Sequence, residues 1–410
     1  MPMAHLKKII SLLLIVAIAY ASYTLLQMRL SVTSGPQRGG LVSLPRHNDE
    51  ETQGTDGAAS YPGLSFAFSA DGAPVDVRSN KCRRQRYANV ERLTATVVVD
   101  VPSTGVDVKK FQLTVDGLLA GERALVDEVI VVADGLHGPV AVQLEHYLTR
   151  LGVAGRLVRN AGIGRMTSRV VGSKLAKSPV MVFADWRVVA TVGWLRPLLD
   201  ALTIEPNSIV MPHLDDASSD PTALATTPER LVADYVWPLS VRMVEYVTAM
   251  PTPRGLYRTP ALRGDLLAVR RDFWDRQLGG YDWALGADSA AANLELSIRA
   301  WQCHGNGTGA GAILVHRCSH IGVRNLSEVM RVVEPNSVKH IARLWFGNRR
   351  RMLERSVGVF SDVEGPAPAD NRKYENCSSI DTYFNDIAVV PVPSTEAVRF
   401  GQLQAYTSKL

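Results

Sequence analysis

The sequence predicts an α/β domain, a mostly parallel central sheet flanked by helices, preceded by an N-terminal transmembrane helix. Three observations carry this. From residue 93 onward, short apolar runs alternate with amphipathic stretches over short links, the pattern of parallel strands with right-handed helical crossovers. Several apolar runs end in a carboxylate, where open α/β sheets place their chemistry. Ile9 to Leu26 carry no charge at all.

The elements follow in chain order. Lys7 and Lys8 precede the uncharged run IISLLLIVAIAYASYTLL. At 1.5 Å per residue it spans about 27 Å, close to a hydrocarbon core. The lysines keep residues 1–8 cytosolic, so residues 9–26 read as a signal anchor in the lipid bilayer and the bulk of the chain lies in the lumen. Residues 27–78, with GPQRGG and DEETQGTDGAAS, have no hydrophobic period and read as a flexible stem. LTATVVVDV (93–101) is a buried strand, KKFQLTVDGLLA (109–120) a helix, and EVIVVAD (128–134) a strand ending at Asp134. A helix over 140–151, a short strand RLVRN and a helix RMTSRVVGSKLA follow. PVMVFAD is the next strand, ending at Asp185, and is succeeded by the helix GWLRPLLDAL and the strand SIVMP. Farther on, LRGDLLAVRRDFW is a strand entering a helix, ANLELSIRAWQC a helix, GAILVHRCSH a strand and SVKHIARLWFGNRRRMLERS one long helix. The domain reads as 79–390, with a tail over 391–410.

Composition narrows the function. The net charge is +5, and Lys and Arg form no stripe, so no nucleic acid is expected as partner. Arg349 to Arg351 read as a solvated helix face. No GxGxxG or P-loop is present, which removes dinucleotide and P-loop chemistry. Cys82, Cys303, Cys318 and Cys377 all fall on the lumenal side, where disulfides persist, and four cysteines allow three pairings. Asn306, Asn325 and Asn376 head glycosylation sequons.

Several stretches, in order, resemble the polypeptide N-acetylgalactosaminyltransferase family. These are QLTVDGLL with EVIVVAD, GWLRPLL, TPALRGDLLAVRRDFWDRQLGGYD (259–282), NLELSIRAWQC (293–303), CSHIG (318–322) and SVKHIARLW. The resemblance covers about residues 80 to 390. It implies a GT-A catalytic domain in a type II Golgi membrane protein that makes mucin-type O-glycans. The expected partners are a UDP-sugar donor and a Ser/Thr-containing polypeptide, and the chain stops where the family's C-terminal lectin domain begins. It also implies the disulfides Cys82–Cys318 and Cys303–Cys377, and places Trp301 near the acceptor, with Asp134 and Asp185 near the nucleotide.

The same comparison shows substitutions in the site. The family holds Mn²⁺ with Asp-x-His and a later histidine. Here Asp185 stands, Arg187 occupies the first histidine place and Val323 the second, leaving His320 nearby. Arginine keeps its proton and ligates no metal, so Asp185 with His320 makes a weak Mn²⁺ site. His-Asn-Glu is replaced by Pro102, Ser103 and Thr104, and the catalytic-site Glu by Ala292. The Ala-Gly-Gly of the sugar pocket reads Arg263, Gly264, Asp265. Two readings follow. In one, Arg187 stabilises the diphosphate without metal and Asp288 or Asp265 supplies a carboxylate. In the other, the chain is a catalytically silent scaffold that binds clients or a partner transferase.

Overall fold

The computed structural model describes residues 76–87, 90–217, 231–245, 254–304, 313–323, 326–332, 334–347, 350–358 and 377–387. The span 9–26, the stem up to residue 75, the tail over 391–410 and the sequons at Asn306, Asn325 and Asn376 lie outside them. Among the described residues no helix is long and apolar enough to cross a membrane.

The first half builds as its periodicity dictates. Strand β1 (Ala95–Val101) is buried along its whole length, so both faces must be covered by helices. Helix α1 (Val108–Leu119) starts at Asp107, whose side chain accepts from Lys110 N at 3.2 Å, and turns Phe111, Val115, Leu118 and Leu119 inward. Strand β2 (Val126–Asp134), helix α2 (Gly138–Leu148), strand β3 (Ala154–Asn160), helix α3 (Arg165–Leu175) and strand β4 (Val180–Asp185) complete the alternation. Helix α3 lies close on the sheet because Gly172 has no side chain; a Cβ there would meet Val98 Cγ1 at 2.3 Å.

Beyond β4 come the short β5 (Val189–Ala190), helix α4 (Leu195–Ile204), β6 (Ile209–Asp216), β7 (Leu231–Val236), β8 (Ser240–Glu245), β9 (Leu256–Arg258) and β10 (Leu266–Arg270). Helix α5 (Ser289–His304), β11 (Ile313–Val323), β12 (Met330–Arg331) and helix α6 (Pro335–Trp345) follow. The main sheet runs β3-β2-β1-β4-β10-β6-β11-β5, with β9 on β11, and β12-β8-β7 form a second, small sheet.

The sheet departs from the mostly parallel expectation after β4. Strands β3, β2, β1 and β4 are parallel, as are β6 and β11, but β10 lies antiparallel between β4 and β6. The chain reaches β10 from β9 through a loop, with no crossover helix to force a parallel return. The long helix expected over 337–356 is two helices, α6 and α7 (Arg350–Ser356), because Gly347 adopts φ +39° between them. The disulfides Cys82–Cys318 and Cys303–Cys377 both form.

Candidate functional site: an arginine-held carboxylate in a cleft

The pairing of β1 with β4 sets Asp100 directly beside Asp185 at the C-terminal edge of the sheet. Both are almost fully buried. Two facing buried carboxylates repel and lose their hydration, so the fold must supply cations. Helix α3 supplies them from one face. Arg169 Nε meets Asp100 Oδ1 at 2.7 Å, and Arg165 bonds Asp100 Oδ2 through Nε while its Nη2 reaches Asp185 Oδ2 at 2.7 Å. Arg187 closes the other side. Its backbone N donates to Asp185 Oδ1 at 2.8 Å, and its Nε and Nη2 reach the two oxygens at 3.2 and 3.1 Å. Burial pushes the Asp185 carboxyl up, but the charge of Arg165 and then the hydrogen bonds and charge of Arg187 outweigh it and hold the group well below the usual carboxylate range. Trp186 faces inward, and the Arg187 guanidinium lies 5.7 Å from its ring, a cation–π distance.

Asp185 opens onto a cleft of about 320 Å³. Arg165, Arg187, Arg263 and Arg331 line it with Asp185, Asp265 and Glu328. Its far lip is the start of α5, where Ser289, Ala290 and Asn293 face in. Arg263 is buried: its Nε pairs with Asp265 Oδ2 at 2.8 Å and its Nη1 donates to Leu326 O at 2.8 Å. Beside it, Gly264 at φ +84° packs on the Asn293 amide, where any Cβ would stand 2.3 Å from Nδ2. Of the three lining carboxylates, two are ion-paired to arginine; Glu328 has no ion pair among the described residues.

Arg187, Asp185, Arg263 and Asp265 therefore share one cleft. Asp134 does not join them: it accepts from Gly164 N at 3.3 and 3.1 Å and so holds the loop that leads into α3. Asp288 does not line the cleft either. Its Oδ1 caps α5 by accepting from Ala291 N at 2.9 Å, and its Oδ2 is buried without a partner. Trp301 is buried, with Nε1 donating to Thr259 O at 3.3 Å. His320 lies outside the cleft lining, its Nδ1 2.9 Å from Asp215 Oδ2, so it forms no ligand pair with Asp185. Asp100, Arg165, Arg169, Glu328 and Arg331 are the members that sequence reasoning missed. For the first three a signal existed: a strand ending in Asp100, and two arginines one helical turn apart on an otherwise small and apolar face.

Mn²⁺ does not fit this set. Both Asp185 oxygens already accept from guanidinium or backbone N–H groups, and no imidazole lines the cleft among the described residues.

The chain is similar over 287 residues, at 25% identity, to mouse polypeptide N-acetylgalactosaminyltransferase 4, covering 67% of this chain and 48% of that protein. Human polypeptide N-acetylgalactosaminyltransferase 13 is 26% identical over 295 residues, 70% of this chain and 50% of the relative. The structure of GalNAc-T7 with UDP, GalNAc and Mn²⁺ superposes with a TM-score of 0.63 at 19% identity, covering 77% of this chain and 60% of that one. The described domain is a divergent GT-A domain, similar to that of the polypeptide N-acetylgalactosaminyltransferases. No family model matches the chain. The chain spans about half the length of these two curated relatives.

Proposed function

We propose that this chain is a Golgi type II membrane protein of the glycosyltransferase type whose cleft takes the diphosphate of a UDP-sugar on arginines, with no divalent metal. The observation that carries this is Asp185 saturated between Arg165 and Arg187 at the mouth of the cleft. Arg187 is more than half exposed, and Nη1 has no protein partner among the described residues. A guanidinium with donors to spare matches phosphate oxygens bidentately. Arg331, also in the lining, adds a second positive charge. If transfer to Ser or Thr of a polypeptide takes place, these groups meet the charge that develops on the leaving diphosphate.

A second reading, a silent scaffold for client glycoproteins or a partner transferase, is favoured by the α5 lip. Ser289, Ala290 and Asn293 offer it no acid or base, and Ala292, the residue the sequence resemblance sets at the family's glutamate, is buried. The membrane anchor at 9–26 and the lumenal orientation rest on the sequence. Calorimetry of UDP and UDP-N-acetylgalactosamine with the purified protein, in Mn²⁺ and in EDTA, tests the reading. Equal binding in both buffers, weakened at least tenfold in Arg187→Ala, supports it. Binding that needs Mn²⁺ refutes it, and a folded protein that binds neither ligand leaves the scaffold.

A further inference from the structure

We propose that His213, Asp215 and His320 form a second, separate site, a buried zinc clasp joining β6 to β11 outside the cleft. The two strands run parallel, and their register sets His320 beside His213 and Gly322 beside Asp215. One ligand atom from each of the three side chains lies within 4.8 Å of the others. His213 Nε2 stands 3.6 Å from Asp215 Oδ1, and His320 Nδ1 stands 2.9 Å from Oδ2. Bonds of 2.0–2.1 Å to tetrahedral zinc put ligand atoms about 3.3 Å apart, between these two values.

The proton inventory points the same way. Tyr257 Oη reaches both Leu231 O and His213 Nδ1 at 3.3 Å. With the phenol donating to the Leu231 carbonyl, which only accepts, His213 Nδ1–H is the donor to Tyr257. That tautomer leaves the bare Nε2 lone pair facing a carboxylate oxygen. Asp215 is 2% exposed, and no Lys or Arg pairs with it among the described residues. His320 alone stands at hydrogen-bond distance from Asp215, so a cation between the His213 lone pair and the carboxylate oxygen 3.6 Å away would complete its compensation. Two imidazoles and one carboxylate suit zinc, whereas Mg²⁺ and Ca²⁺ prefer all-oxygen shells. Tyr257, bonded to the far nitrogen of His213, is the outer partner that metal-bound histidines usually keep.

The test uses the full chain, stripped with a chelator and checked for folding by circular dichroism. It is titrated with Co²⁺ as a visible probe and then with Zn²⁺. The expected result is a single equivalent of Co²⁺ with the ligand-field bands of a low-coordinate site, displaced by Zn²⁺, together with a rise in Tm. A stripped chain that unfolds and refolds on adding Zn²⁺ gives the same answer. Tyr257→Phe, which removes no ligand, weakens uptake about 10–100-fold; His213→Gln and His320→Gln weaken it further, and Asp185→Asn leaves it unchanged. A stripped, folded chain that takes up neither ion overturns the proposal, whatever the variants do. Uptake that survives both histidine variants, or that disappears in Asp185→Asn, overturns it as well.

Discussion

Removing Asp100 strips the compensation from a fully buried charge. The Arg169 side chain is fully buried. Among the described residues it has, beside Asp100, only the Tyr281 hydroxyl at 3.4 Å, and its Nη2 lacks a partner. In Asp100→Ala the guanidinium stays buried with that one long contact, and Arg165 keeps only Asp185. Leaving a buried charge uncompensated costs about 3–5 kcal/mol, which corresponds to a Tm lower by about 6–10 °C in a domain of this size. Thermal and urea unfolding of Asp100→Ala, Arg169→Leu and the double variant measure it. Removing both partners and filling the space with an apolar side chain recovers most of the loss, because it is the unpaired charge that costs. The reasoning fails if Asp100→Ala lies within about 1 kcal/mol of wild type. It also fails if the double variant loses the sum of the two single effects.

Three further outcomes follow from the same structure. Glu122 is buried, with Arg196 no nearer than 3.9 Å, and burial pushes its carboxyl up from 4.5 to about 7. The folded protein therefore holds a proton that the unfolded chain releases, so stability is full below pH 4.5 and declines as pH rises to 7, by about 3 kcal/mol at 1.36 kcal/mol per unit; denaturant unfolding across that range shows the decline in wild type and not in Glu122→Gln. The disulfides close separations of 236 and 74 residues, so losing Cys82–Cys318 costs about 1 kcal/mol more than losing Cys303–Cys377 on loop entropy alone, read as the difference between the two double-serine variants. Gly172→Ala drives a methyl into Val98 and pushes α3 off the sheet, at about 1–3 kcal/mol, with a matching loss of Arg187-dependent UDP binding as Arg165 shifts.

The strands were legible because buried parallel strands read as continuous apolar runs with polar ends. Asp134 and Asp185 stood out for that reason, and Asp100 carried the same mark. What the local pattern did not carry was register. Only the pairing of β1 with β4 brings Asp100 against Asp185 and so creates the demand that Arg165 and Arg169 meet. On sequence alone, two arginines one turn apart on a helix face mark that face but not the carboxylates they meet. The direction of β10 was hidden for a related reason: a loop entry leaves strand sense open. Asp288 and His320 were placed by proximity in sequence to cleft residues, whereas a helix cap takes one of Asp288's oxygens and the strand pairing sends His320 to Asp215.

The sharing of Arg165 between Asp100 and Asp185 bears on how such a site changes over generations. A lineage in which Asp185 came to bind a metal would have to shed Arg165 and Arg187 and place imidazoles instead. Loss of Arg165 alone strands part of the Asp100 charge, and loss of Asp100 alone strands Arg169. Each single step leaves a buried charge uncompensated and so costs stability, and the arginine-held state thereby acts as a ratchet, left without loss only by several coordinated substitutions.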